Sequence, residues 1–292
     1  MSRIKQFGIL LVMAAMTAAT MIFFFIGKGE KMSHNSQLLI DHPQIQQVLF
    51  HPRRESAFEA GGNGVEVHLM VAENVSLAGR IFVAAADSPI ILFWHGNGEI
   101  AADYEQIAQI YTNMNITFLV MDFRGYGLSD GVPTGSALLA DGIAVFERIQ
   151  DVLQQHNITT EQIFVMGRSM GSAAAIAIAA HAGDAIAGLI IESGFAYSIP
   201  LMERLGGLSL DADESQGFGN HAKISQVTVP TLIIHGEEDQ IIPVADGRAL
   251  FDAAASNKKH ILTIPHAGHN DLMMVGQREY FQAIYSFVGD AG

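Results

Sequence analysis

The chain contains no cysteine. Disulfides, thiolate metal sites and a cysteine nucleophile are thereby excluded, while a reducing and an oxidising compartment remain equally compatible. Charge is scarce too. Asp, Glu, Lys and Arg make up 16% of the residues, with 16 basic against 30 acidic. At a formal net charge of −14 no basic cluster stands ready for phosphates, so nucleic acid is not an expected partner. Internal repeats and low-complexity segments are missing as well. What is present is 49% hydrophobic residues and 29 glycines in 292 positions. That composition suits one large core with many tight turns, and the length does not demand a second domain.

The longest apolar run covers residues 7–26 and holds no charged residue, with Arg3 and Lys5 before it and Lys28 after it. Twenty helical residues span roughly 30 Å, about one hydrocarbon core. A cleaved signal peptide is the alternative, since Ala14, Ala15, Ala18 and Ala19 offer small residues for cleavage. The run continues through Met21, Ile22, Phe23, Phe24, Phe25 and Ile26, which favours an uncleaved transmembrane anchor over residues 1–31. Flanking charge is nearly balanced. The N-terminal amine tips the expectation towards a cytoplasmic N-terminus, with the rest of the chain on the non-cytoplasmic side of the membrane.

Residues 32–60 read as a polar connector. A short helix is possible over 41–50, and the His and Arg side chains of His51-Pro52-Arg53-Arg54 are expected to be solvated. From residue 61 short apolar runs alternate with turns. Runs 65–71 and 77–83 flank Ala72-Glu73-Asn74-Val75 and predict a hairpin. Runs 90–94, 118–121, 163–166, 189–191, 232–234 and 261–264 are uniformly apolar, which predicts strands buried on both faces of a parallel sheet. Helical periodicity falls between them, over 101–114, 136–156, 170–181, 244–255 and 275–288. The expectation is an α/β domain over 61–292, with helices on both faces and an antiparallel N-terminal hairpin. Residues 195–225 break the alternation; they are Gly-rich, carry Asp211, Asp213 and Glu214, and form either a small cap or a long loop.

Chemistry concentrates after the predicted strands. Gly167-Arg168-Ser169-Met170-Gly171 follows one strand and opens a helix rich in alanine. At so tight a turn the serine is strained and its hydroxyl is pushed outward, while flanking glycines let strand and helix approach. Alone the pattern is weak, and a Gly-flanked serine in an ordinary turn is the plain alternative. A serine needs a base, and the base needs a carboxylate to orient it. The loop His235-Gly236-Glu237-Glu238-Asp239 follows run 232–234 and offers Asp239, with Glu238 second. Gly268-His269-Asn270-Asp271 follows run 261–264 and offers His269, with His266 as its rival. The loop His95-Gly96-Asn97-Gly98 has the glycines to point backbone N–H groups at one spot, and Asn97 and Met170 are the expected oxyanion donors. Each of these segments has a structural reading as well, as a turn or a solvated acidic loop.

Taken in order, His95-Gly96-Asn97-Gly98, the segment Asp122-Phe123-Arg124-Gly125-Tyr126-Gly127-Leu128-Ser129-Asp130-Gly131, Gly167-Arg168-Ser169-Met170-Gly171, His235 through Pro243, and Gly268-His269-Asn270-Asp271 resemble the α/β-hydrolase family. The nearest likeness is to its small-capped subgroup of membrane-associated serine hydrolases and acyl-protein thioesterases. The likeness covers about residues 60–290, and residues 195–225 match nothing that fixes a substrate. The resemblance implies Ser169 as nucleophile, Asp239 as acid, His269 as base, and Asn97 and Met170 as oxyanion donors. Segment 122–131 would shape the loop beside the site.

The expected activity is hydrolysis of a carboxylic ester or thioester of a small-molecule or lipid-like acyl substrate, with no cofactor. Amide or peptide hydrolysis by the same triad is an alternative. Glu192, just after a predicted strand, is a candidate ligand for a substrate amine but reads more simply as a structural carboxylate. A non-catalytic membrane-anchored module on the same scaffold is the reading from another class; it usually accompanies loss of a triad member, and none is missing. No metal site is expected, because His266 and His269 lack a nearby pair of matching ligands.

Overall fold

The computed structural model describes residues 38–55 and 63–290. Eight strands form one sheet: β1 (Val65–Ala72), β2 (Val75–Phe82), β3 (Ile90–Trp94), β4 (Thr117–Met121), β5 (Ile163–Arg168), β6 (Gly188–Glu192), β7 (Thr231–Gly236) and β8 (Lys259–Ile264). Their order is β1-β2-β4-β3-β5-β6-β7-β8. β2 runs antiparallel to both of its neighbours, and all other pairs are parallel. The hairpin turns through Asn74 at φ 58°, a left-handed conformation that asparagine tolerates well.

The apolar strands are sorted by the pleat. Leu92, Trp94, Leu119, Met121, Val165 and Ile191 face one core, while Ile91, Phe93, Phe118, Val120, Phe164 and Ile190 face the other. Strands β3 to β7 are buried along their whole length. β8 departs from the expectation: it is the sheet's edge, and only Ile264 of it is fully buried. Helices Glu105–Asn113 and Gln277–Asp290 cover the second core, and helices Gly135–Glu147, Gly171–Ala182 and Val244–Ala253 cover the first.

Three expected helices are interrupted. Residues 101–114 begin as the 3-10 turn Ala101–Tyr104 before the α-helix Glu105–Asn113. Residues 136–156 divide at Arg148 (φ −106°, ψ 7°) into Gly135–Glu147 and Ile149–Gln155, with no glycine or proline to mark the break. Residues 275–288 are broken at Gly276, between the short helix Leu272–Val275 and the helix Gln277–Asp290; a Cβ on Gly276 would sit 2.6 Å from Ile264. Residues 195–225 form a small helical insertion with helices Ser198–Gly206 and Asn220–Ile224. Its acidic patch is partly structural, because the Glu214 carboxylate accepts the N–H groups of Ser198 and Ile199 at 2.8 and 2.9 Å.

Residues 38–55, read from the sequence as part of a solvated connector, pack onto the domain. Helix Pro43–Leu49 buries Ile45 and Leu49 in the main core. Arg53 pairs with Asp103 and Arg54 with the Ser129 carbonyl, while Glu55 N–H donates to the Gly127 carbonyl at 3.1 Å. Among the described residues no helix is long and apolar enough to cross a membrane. The apolar run 7–26, read as an anchor, lies outside the described residues.

Candidate active site

Ser169 occupies the turn between β5 and helix Gly171–Ala182 at φ 51°. A left-handed non-glycine residue costs on the order of 1–2 kcal/mol, so the surroundings must hold it there. Ser169 N–H donates to the Glu192 carbonyl at 2.8 Å, and Ser172 returns two bonds to the Ser169 carbonyl, from N at 3.0 Å and Oγ at 2.6 Å. The flanking glycines are required by contact. A Cβ on Gly167 would lie 2.3 Å from the Gly171 carbonyl oxygen, and one on Gly171 would lie 2.1 Å from that of Trp94. The following helix is buried from Gly171 to Ala179, which its run of alanines permits.

His269 and Asp239 stand beside Ser169 at the C-terminal edge of the sheet. His269 Nε2 is 2.9 Å from Ser169 Oγ, and its Nδ1 is 2.7 Å from Asp239 Oδ2. Burial pushes the Asp239 carboxyl up, but the close approach of His235, the bond from His269 and the Ile242 N–H outweigh it and hold the group far below the usual carboxylate range. An ionised carboxylate only accepts, so Nδ1 of His269 carries the proton and Nε2 is bare to accept from the serine hydroxyl. The other oxygen, Asp239 Oδ1, accepts the N–H groups of Ile241 and Ile242 at 2.9 and 2.8 Å. His235 donates from Nε2 to the Ile242 carbonyl at 2.8 Å and lies 3.4 Å from Asp239 Oδ2, bracing the same loop. Burial lowers the His269 pKa below 6.5; Asp239 opposes that shift and the Arg168 charge reinforces it.

The two rivals are elsewhere. His266 Nδ1 pairs with Glu238 at 3.0 Å in solvent, with side chains 84% and 62% exposed. Neither takes part in the Ser169 cluster.

Asn97 follows β3, and its loop abuts the turn: a Cβ on Gly96 would meet Arg168 at 2.4 Å. Among the described residues, neither the Asn97 nor the Met170 backbone N–H donates to a backbone carbonyl. The segment 122–131 buttresses this loop. Asp122 Oδ1 accepts from Ala101 N at 2.8 Å and lies 3.3 Å from His95 Nε2, while Arg124 makes a two-bond pair with Asp141 at 2.6 and 2.7 Å.

Sequence reasoning missed the buried ion network under the site. The Arg168 guanidinium pairs with Glu99, donates to Glu192 at 3.1 Å, and reaches the His269 carbonyl and Asn270 Oδ1 at 3.0 Å each. Tyr104 bonds Glu99, and Tyr280 donates to Glu192 at 2.7 Å. Burial raises Glu99, but Arg168, Tyr104 and the Gly96 N–H bring it below its ordinary value. Glu192 stays raised by burial, only partly offset by Arg168 and Tyr280. One side chain thus ties the loops bearing Asn97 and His269 to the strand that leads into Ser169. Its position inside the G-x-S-x-G pattern was the available signal. Among the described residues no group of three or more His, Asp or Glu side chains is arranged so that it could hold a metal ion.

A buried serine bonded to an imidazole that is bonded to an ionised carboxylate, on a mostly parallel sheet of this strand order, defines the α/β-hydrolase class. The family model described as "Serine aminopeptidase, S33" matches residues 86–208 and 220–273, and the chain belongs to this family of α/β hydrolases. It is similar to Protein bem46 of Schizosaccharomyces pombe, at 30% identity over 208 residues covering 69% of this chain and 68% of that protein. It is also similar to Alpha/beta hydrolase domain-containing protein 17C of Xenopus tropicalis, at 30% over 235 residues covering 77% and 70%. Among solved structures, the Pyrococcus furiosus esterase Pf2001 shares the fold with a TM-score of 0.68 and 19% identity, covering 82% of this chain and 99% of that one.

Proposed function

We propose that this chain is a serine hydrolase that cleaves a carboxylic ester or thioester through an acyl-enzyme intermediate. The observation carrying the reading is the bonded series Ser169 Oγ, His269 Nε2, His269 Nδ1, Asp239 Oδ2, with spacings of 2.9 and 2.7 Å. Ser169 Oγ attacks the acyl carbon while His269 takes its proton. His269 then gives that proton to the departing alcohol or thiol as the acyl–oxygen or acyl–sulfur bond breaks. Water, deprotonated by the same imidazole, attacks the acyl-enzyme and releases the acid and the serine. Asp239 remains ionised throughout and stabilises the imidazolium. The N–H groups of Asn97 and Met170, without a backbone acceptor of their own, serve the oxyanion.

The substrate is a small-molecule or lipid-like acyl compound. Residues 7–26 anchor the chain in a membrane, with the hydrolase domain on the non-cytoplasmic side. Peptide hydrolysis is the second reading, favoured by the wording of the family model. Against it, Glu192 is 1% exposed and bonded to Arg168 and Tyr280, so it is closed to a substrate amine.

The test is a panel of p-nitrophenyl esters of rising acyl length, followed by the thioester and the amide of the best acyl group. Turnover of ester and thioester, with the amide slower by about a hundredfold or more, is expected from the poorer amine leaving group. An amide cleaved as fast as the ester would transfer the assignment to a peptidase or amidase.

A further inference from the structure

We infer that the segment before the sheet is part of the catalytic apparatus, with His51 acting as a positioning residue for the oxyanion loop at Asn97. The inference rests on the function proposed above.

Residues 38–55 are fixed to the domain at both ends. On one side Asp41 Oδ1 accepts the Ser136 N–H at 2.9 Å at the start of helix Gly135–Glu147, and Ile45, Leu49 and Phe50 enter the core. On the other, Arg54 forms a parallel bridge with Gly127, and Gly127 N–H donates to the Arg53 carbonyl at 2.8 Å. His51 lies between these fixed points.

The hydrogen bonds around Asn97 can be assigned from chemistry. His51 N–H faces one Asn97 side-chain atom at 2.9 Å. A backbone N–H only donates, so that atom is the amide oxygen. The same N–H lies 2.8 Å from the Tyr126 hydroxyl oxygen, and that hydroxyl donates its proton to Asn97 Oδ1 at 2.7 Å. The remaining amide atom, Nδ2, is a donor and stands 2.8 Å from His51 Nδ1. His51 must therefore accept there, as a neutral imidazole with its proton on Nε2. The His51 residue is exposed overall, but its partial desolvation against the domain lowers its pKa, which favours the neutral form that the Asn97 geometry already requires. Tyr126 is fully buried and edge-on to Phe123, so its hydroxyl is a fixed point.

Among the described residues the bonds to the Asn97 side chain come from His51 and Tyr126, and Asn97 also carries the N–H that would meet the oxyanion. Gly96 and Gly98 on either side give the loop little stiffness of its own, Gly98 at φ 77°. Glu99 and His95 hold Gly96 on one side, and the side-chain latch holds Asn97 itself. Oxyanion donors act through preorganisation, and misplacing one by about 1 Å can cost up to about a hundredfold in rate. The latch acts on the transition state, where the oxyanion forms, rather than on the neutral substrate carbonyl.

The experiment uses the full chain and two variants, His51→Ala and His51→Asn, the second placing an acceptor oxygen close to where Nδ1 stood. Active sites are titrated with a fluorophosphonate, and kcat and KM are measured on the best p-nitrophenyl ester. The inhibition constant of the trifluoromethyl ketone with the same acyl group is measured alongside, because its adduct carries an oxyanion. His51→Ala should lower kcat per titrated site about ten- to a hundredfold with KM within about twofold, and ketone affinity should fall by a similar factor. His51→Asn should recover most of both. A kcat within about twofold of wild type in His51→Ala overturns the inference, as does a loss confined to KM or to the fraction of titratable sites. Should His51→Ala fail to fold, Tyr126→Phe is judged by the same criteria. A wild-type chain inert towards every ester overturns the proposed function and this inference together, whereas an active wild type with an unaffected His51→Ala overturns this inference alone.

Discussion

The imidazole at residue 269 is almost wholly buried against Ser169, and the one at residue 266 is in solvent. His269→Ala should therefore lose about three orders of magnitude or more in kcat, and His266→Ala should keep most of its activity. Asp239→Asn should fall by about 10³–10⁴, since the wrong tautomer of His269 is then favoured, while Glu238→Gln should stay near wild type. Ester turnover by the four purified variants checks both rankings. The same environment sets the pH response. As the proposed base His269 must be neutral to act, and burial together with the Arg168 charge holds its pKa below the ordinary 6.5 against the pull of Asp239. Activity is thus full above that pKa and is lost as pH falls through it, so the acid limb of kcat/KM should have its midpoint below pH 6.5. A midpoint above 6.5 would show that Asp239 dominates instead. Chain order and the tight Gly-flanked turn made Ser169, Asp239 and His269 legible in the sequence. Arg168, Glu99 and His51 were not, because their partners are distant along the chain: 69 residues separate Arg168 from Glu99, and 46 separate His51 from Asn97.

Strands were easier to read than helices, and the reason is burial. β3 to β7 are covered on both faces, so each is a continuous apolar run bounded by turns. Helix breaks at Tyr104, Arg148 and Gly276 are set by tertiary packing, and periodicity alone runs across them. The helix Gly171–Ala182 shows how closely the elements fit. Gly171→Ala would drive a Cβ into the Trp94 and His95 carbonyls at 2.1 and 2.6 Å, neither of which can rotate away. Overpacking of this kind costs about 1–3 kcal/mol or more, so calorimetry should record a clear drop in Tm, and activity should fall with it as the turn opens. Arg168→Met tests the network beneath. It leaves Glu99 and Glu192 buried without their cation, and breaking a buried pair in this way costs about 3–5 kcal/mol. A denaturant titration should show that loss, whereas an unchanged midpoint would mean that the two carboxylates are neutral in the folded protein.

At the scale of the molecule, one sheet gathers loops from four strand ends onto a single edge. Asn97 follows β3, Ser169 follows β5, Asp239 follows β7 and His269 follows β8. This is where open parallel sheets bring distant loops together. The strap of residues 38–55 joins the same edge from the N-terminal side, which the composition of that segment did not reveal. The apolar run 7–26 stands apart from this assembly by sequence. A chain beginning at Ser33 retains the strap; it should be soluble and should match the full chain in kcat/KM on a small ester, while the full chain should sediment with membranes. Aggregation of the shortened form would instead assign the run to the core. If Ser169 is an activated nucleophile, a fluorophosphonate should label it covalently, and intact-mass spectrometry reads the adduct. We expect one adduct per chain, mapped to the peptide holding Ser169 and absent from Ser169→Ala; an adduct that persists in that variant, or maps to another serine, would show that the nucleophile lies elsewhere.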